Sequence, residues 1–192
     1  LHRCVTPPAD LTIYRTIDWG FDTFVCLWLG VDSEETVYLL DTYKAARSRL
    51  KVHADYILAH PLQNVRATYC DPAGRNRNDQ TGRSNVEEFR AYGIVCTYRL
   101  SSWAREVANG VRLIRAALRP ASGSPRFYYV PNENNRAFVR DIQSYRNRKV
   151  NDVYIDDPVD PQPAEHTMDA LRYFFVNRMA PREIRTVGIT AS

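Results

Sequence analysis

Three aspartates of this chain sit where a polypeptide can hold a metal ion against a phosphate. Asp18 ends an apolar, β-like run over residues 11–20, and Asp71 ends a second over residues 65–72. Asp169 lies on an amphipathic stretch near the C-terminus, in His166-Thr167-Met168-Asp169-Ala170-Leu171-Arg172-Tyr173. A carboxylate at a strand end, where pairing stops and a turn begins, projects from the sheet edge into a cleft. Two such strands and a helix with a third carboxylate can gather hard oxygen ligands around Mg²⁺ or Mn²⁺. Two such ions ~3.5–4 Å apart can activate a water and neutralise the leaving oxygen of a phosphodiester. Asp18 is expected to bridge the ions, with Asp71 on one and Asp169 on the other. Taken singly, a strand-terminal aspartate is more often a turn former; three at these positions argue for chemistry.

His166 precedes Asp169 by three residues and shares its helical face. It could orient the attacking water, contact phosphate, ligate metal, or simply pack. Arg75, Arg77 and Arg83 crowd the segment after Asp71, and Arg146, Arg148 and Lys149 form a second basic patch. Positive charge beside a metal cleft suits a DNA backbone and gives sequence-independent, salt-dependent binding. Asp22 reads as a hairpin turn residue or an auxiliary ligand, and Asp79 as a local counter-charge. Asp156, Asp157 and Asp160 read as part of a Pro-rich, rigid connection into the last helix, the alternative being carboxylates that approach the metal.

The elements that must position these groups follow from the pattern. Strands are expected at about 11–19, 23–31 and 36–43, the second an unbroken apolar run and therefore central. A helix is expected over about 44–60, with Ala45, Leu50, Ala54, Ile57 and Leu58 on one side, and a strand over 65–71. Ser84-Asn85-Val86-Glu87 reads as a capping box opening a helix that Gly93 stops. A strand at 94–98, a helix at about 103–118, a short strand at 127–130, and helices at about 134–145 and 165–178 complete the order. Three antiparallel strands, then strands separated by helices, predict an α/β mixed sheet with helices on both faces.

Composition limits the alternatives. The 192 residues are 44% hydrophobic, enough for a continuous core, and carry a net charge of +4. Lys44, Lys51 and Lys149 are the only lysines. Arginine forks match phosphate oxygens bidentately, although such a bias can also be ordinary surface charge. Cys4, Cys26, Cys70 and Cys96 are spread singly, without zinc-ligand spacing, and read as reduced thiols in a reducing compartment. No signal peptide or membrane-spanning run is read.

The order of elements, with an aspartate on the first strand, another on the fourth and a third on the final helix, resembles the ribonuclease H-like superfamily. More closely, the chain resembles the nuclease domain of the large terminase subunit of tailed bacteriophages. The motifs are residues 17–22, Tyr69-Cys70-Asp71-Pro72-Ala73-Gly74, and the His166–Tyr173 run. Residues 106–112 and Asp141-Ile142-Gln143-Ser144-Tyr145-Arg146 also fit. The resemblance covers nearly all of residues 11–178 and implies a metal-dependent endonuclease that cuts concatemeric double-stranded viral DNA at packaging initiation and termination. It implies an ATPase domain elsewhere in the full-length protein, a small terminase subunit and a portal as partners, and the cytoplasm of an infected bacterial host rather than the mature virion. It also implies a DNA-touching β-hairpin near Arg146–Lys149. No GxxxxGK[ST] phosphate loop occurs in these residues, so no ATPase site is expected here. The expected organisation is residues 1–10 as an inter-domain connection, 11–180 as the nuclease domain and 181–192 as a tail. Alternatives are another ribonuclease H-like DNA enzyme, a junction resolvase or transposase-like strand transferase, and a non-enzymatic DNA-binding or capsid-docking module.

Overall fold

The computed structural model describes residues 1–79, 82–121, 123–150, 153–158 and 164–179. Side chains of residues 147–150 and 153–158 are outside that description, as are Asp160 and the expected tail from 181 onward.

The strongest apolar run becomes the middle of the sheet. β3 (Phe24–Val31) is buried at every position. It runs antiparallel to β2 (Thr12–Asp18) on one side and to β4 (Val37–Ala45) on the other. β5 (Val65–Cys70) adds parallel to β2, and β6 (Cys96–Thr97) parallel to β5. β7 (Phe127–Tyr129) adds parallel to β4. With β1 (His2–Arg3) beside β7, the seven-stranded order is β1-β7-β4-β3-β2-β5-β6. Every strand of this sheet except β3 therefore points the same way, and the C-terminal ends of β2, β4 and β5 share one edge.

Alternation along β3 divides the core into two layers. Val25, Leu27, Leu29 and Val31 face α4 (Val107–Leu118), α5 (Asn135–Ser144) and α6 (Glu165–Met179), with Ile114, Phe138, Leu171 and Phe174. Phe24, Cys26 and Trp28 face α1 (Leu50–Ala59) and α2 (Asn85–Ala91), with Ile57 and Phe89. Helices on both faces of a mixed sheet were the expectation, and the structure has them.

Several boundaries move. The helix expected from about 44 begins at Leu50, because the ladder keeps Ala45 opposite Phe24 and Arg47 takes a φ of 52° that no helix accepts. The helix expected over 103–118 is broken at Glu106 (φ −70°, ψ 117°) into α3 (Ser102–Arg105) and α4. Ser101 caps α3, and Asn109 Nδ2 donates to the Trp103 carbonyl across the break. Residues 1–10, expected as a connection, place β1 (His2–Arg3) in the sheet beside β7. A hairpin of β8 (Asn147–Val150) and β9 (Val153–Pro158) precedes the last helix. Asp156 and Asp157, expected in the connection to that helix, therefore belong to strand β9.

Candidate active site

β2 and β5 are parallel neighbours whose last ladder pair is Ile17 with Cys70. Asp18 and Asp71 are the next residue on each, and the Asp71 N–H donates to the Ile17 carbonyl at 3.1 Å. Two strand ends thus deliver two carboxylates side by side. After Asp71 the chain turns into a 3₁₀ turn, Pro72–Arg75, and Asp71 Oδ1 caps it by accepting the Ala73 N–H at 2.9 Å. Trp19 closes over this turn. Its Nε1 donates to the Asp71 carbonyl at 3.2 Å, and a Cβ at Gly74 would stand 2.1 Å from that same nitrogen. Only glycine lets the indole approach there.

Alternation on β2 puts Tyr14, Thr16 and Asp18 toward α6. Thr16 Oγ1 donates to the Ala170 carbonyl at 2.7 Å, which seats the helix on the strand. One turn earlier, His166 Nδ1 lies 2.8 Å from Asp18 Oδ2. One residue before Ala170, Asp169 Oδ1 accepts from Arg172 Nε at 2.9 Å. Asp18 is 4% exposed, and its pKa is pushed up to about 7. Burial is the largest cause; the His166 hydrogen bond opposes it, and the charges of Asp169 and Asp71 add to it. His166 is raised, first by its hydrogen bond to Asp18.

A second cluster adjoins the first. Val25 pairs with Asp18 on one side and Lys44 on the other, so the ends of three strands are in line. Lys44 Nζ donates to Asp141 Oδ2 at 2.7 Å and to Thr167 Oγ1 at 3.4 Å, and the Thr167 hydroxyl also donates to Asp141 Oδ2. This network ties α5 and the start of α6 to the strand ends. Lys44, Thr167 and Arg172 carry no expected role from sequence, and Asp141 stands there only within a motif. The available signal was an isolated lysine at a strand end and the polar residues flanking His166 and Asp169.

Among the described residues, no three His, Cys, Asp or Glu side chains stand close enough together to cage a cation. Asp18 is held by His166, Asp169 by Arg172, and Asp71 by a backbone N–H. In kind the set fits a hard divalent ion: all three donors are carboxylates, and the charges of Asp169 and Asp71 add to the burial that raises Asp18.

The expected phosphate-contacting groups lie on two segments, one after Asp71 and one after α5. Arg75, Arg77 and Arg83 are exposed on the segment after Asp71, which an Arg77–Ser84 bridge and the Ser84–Glu87 capping box close into α2. Arg146 is exposed at the foot of the hairpin. The side chains of Arg148 and Lys149 lie outside the described ones. Asp22 is exposed, 3.8 Å from Arg47, and Asp79 is exposed as well.

No family model matches the chain, and no curated protein matches it in sequence. Solved structures do match in fold. The P22 large terminase nuclease domain superposes with a TM-score of 0.71 at 14% identity, over 92% of this chain and 87% of that one. The large terminase nuclease domain of bacteriophage SPP1, solved with bound Mn, gives 0.66 at 16% identity over 88% and 87%. The large terminase nuclease from thermophilic phage G20c gives 0.57 at 12% identity over 88% and 83%. The chain has the ribonuclease H-like fold of phage large terminase nuclease domains.

Proposed function

We propose that this chain is a divalent-metal-dependent DNA endonuclease that cuts double-stranded concatemeric genomes for a viral DNA-packaging terminase. The observation that carries the reading is the pair of strand-end carboxylates, Asp18 and Asp71, under a helix that brings His166 and Asp169 to the same edge. The fold supports it, as does the presence of Mn in the SPP1 domain and magnesium in a G20c structure.

Asp18, Asp71 and Asp169 would hold the cations, two of them. When bound, they supply charge neutralisation at the scissile phosphate and an acidified water. The chain's own groups do the rest. With Asp18 ionised, His166 Nδ1–H donates to Asp18 Oδ2, which fixes the ring and leaves Nε2 to accept a proton from a water on the cleft side. Asp18 stabilises the imidazolium so formed. Lys44, held by Asp141 and Thr167, keeps a positive charge beside the strand ends without offering a lone pair. Arg75, Arg77, Arg83 and Arg146, with Arg148 and Lys149 of the hairpin, contact phosphates along the duplex and read no base edges.

In a packaging terminase the power for translocation would come from a separate ATPase domain. The small terminase subunit and portal would be partners, in the cytoplasm of the infected host. No helix of the described residues is long and apolar enough to cross a membrane. The test is incubation with supercoiled plasmid in Mg²⁺ or Mn²⁺, beside Asp71→Ala and an excess-EDTA arm. Nicking that needs metal and Asp71 supports the proposal; cutting in EDTA overturns it.

A further inference from the structure

We propose that Arg172 is a positioning residue for Asp169, setting how that carboxylate faces a divalent cation, and that Gly110 on α4 makes this possible. The inference rests on the metal-dependent reading above. Arg172 is 6% exposed, and a guanidinium so far out of water needs a partner. It has Asp169, one turn back on α6: Nε donates to Oδ1 at 2.9 Å. Its guanidinium also lies 4.6 Å from the centre of the Tyr173 ring. A hydrogen bond to one carboxylate oxygen engages that oxygen and restrains the side chain. The second oxygen is then the one a cation would take. Carboxylates that ligate metals are held by such partners, and loss of the partner weakens binding.

The arginine keeps this pose because α4 gives way to it. A Cβ built at Gly110 would stand 2.1 Å from Arg172 Cγ, 2.6 Å from Cδ and 3.3 Å from Val176 Cγ1. Those are mid-stem atoms of a buried side chain, so they have no solvent to retreat into. A glycine inside a helix is unfavourable for that helix. Here the bare backbone of α4 is the groove in which the Arg172 stem lies. The atoms nearest a Cβ at Gly110 belong to Arg172 and Val176 and not to a carboxylate. The geometry nevertheless makes Gly110 a determinant of cation affinity, through one side chain and across two helices.

The probe is Mn²⁺ alone, titrated into the folded chain by calorimetry or by loss of the free-ion resonance signal. Wild type should bind. Arg172→Gln should bind ~10–100-fold more weakly. Gly110→Ala should remain folded by circular dichroism and also bind more weakly, which a purely local role for Arg172 does not require. In an Asp169→Asn background, Arg172→Gln should cause no further loss, because the arginine acts through that carboxylate. Undiminished or tighter binding by a folded Gly110→Ala or Arg172→Gln would overturn the inference, since an arginine that competes with the cation would do the opposite of one that positions its ligand. Additive losses in the double variant would also overturn it. Absence of Mn²⁺ binding by the folded wild type would instead remove the metal-dependent reading, and this inference with it.

Discussion

Asp18 carries the site's electrostatic tension. Its folded pKa of about 7 stands above the ordinary 3.8, so folding favours its protonated form. That contribution is present below about 3.8 and is lost as pH rises through about 7. His166 is raised by Asp18, so its contribution is present below 6.5 and is lost as pH passes its higher folded value. Both signs agree: without metal, the contribution of this pair to stability falls from weakly acid to alkaline pH. Asp18→Asn keeps the shape and removes the charge. In EDTA it should therefore melt above wild type at pH 8, by about 2–4 °C per kcal/mol relieved, with the gap closing toward pH 4. Thermal melts across pH check this, and equal melting at every pH would contradict it. The element placement of Asp18, Asp71, Asp169 and His166 was legible because strand ends and helical spacing are local patterns. Lys44 and Arg172 were not legible as neighbours of the site. Lys44 reaches it only because β3 lies between β2 and β4, and Arg172 reads as one more polar residue until α4 is packed against it.

At the scale of elements, the site depends on two strand ends and one turn staying in register. Trp19 is the brace, edge-on to Phe89 at 4.8 Å between ring centres and bonded to the Asp71 carbonyl. Gly74→Ala forces that indole outward and should cost about 1–3 kcal/mol, measured as a shift of the urea midpoint. An unchanged midpoint would mean that the brace is loose. Ser84→Ala removes the reciprocal Ser84–Glu87 cap of α2 and should cost about 1 kcal/mol; amide exchange should quicken in the first turn of α2 and in the adjoining Arg83 segment. That cap was legible, because its four residues carry the whole interaction. The stop at Gly93 was legible too, and its φ of 90° shows why glycine serves there. The late start of α1 and the break at Glu106 were hidden, since the first is set by cross-strand pairing with Phe24 and the second by an asparagine reaching back to the Trp103 carbonyl.

At the scale of the molecule, the sheet gathers the C-terminal ends of β2, β4 and β5 on one edge, and the exposed arginines after β5 extend that edge. The class of sheet was legible from element order; the strand order was not, because it records which segments meet after long connections. If the arginines meet phosphates, duplex binding should fall linearly with the logarithm of salt concentration, with little sequence preference. Arg75→Ala and Arg77→Ala should each lower the slope by about 1. Fluorescence anisotropy of labelled duplexes checks this; a salt-indifferent affinity would contradict it.

The central claim is that three carboxylates delivered by two strands and one helix do metal-dependent phosphodiester hydrolysis. Its most direct test is the rate of supercoiled-plasmid nicking in Mn²⁺ by wild type and by Asp18→Asn, Asp71→Asn, Asp169→Asn and His166→Ala, each confirmed folded. Each aspartate variant is expected to lose at least ~10²-fold, because each removes charge that the transition state needs. His166→Ala should lose less, since it removes a proton acceptor and leaves the cation-holding charge in place. Nicking at the wild-type rate by any of the three folded aspartate variants would contradict it.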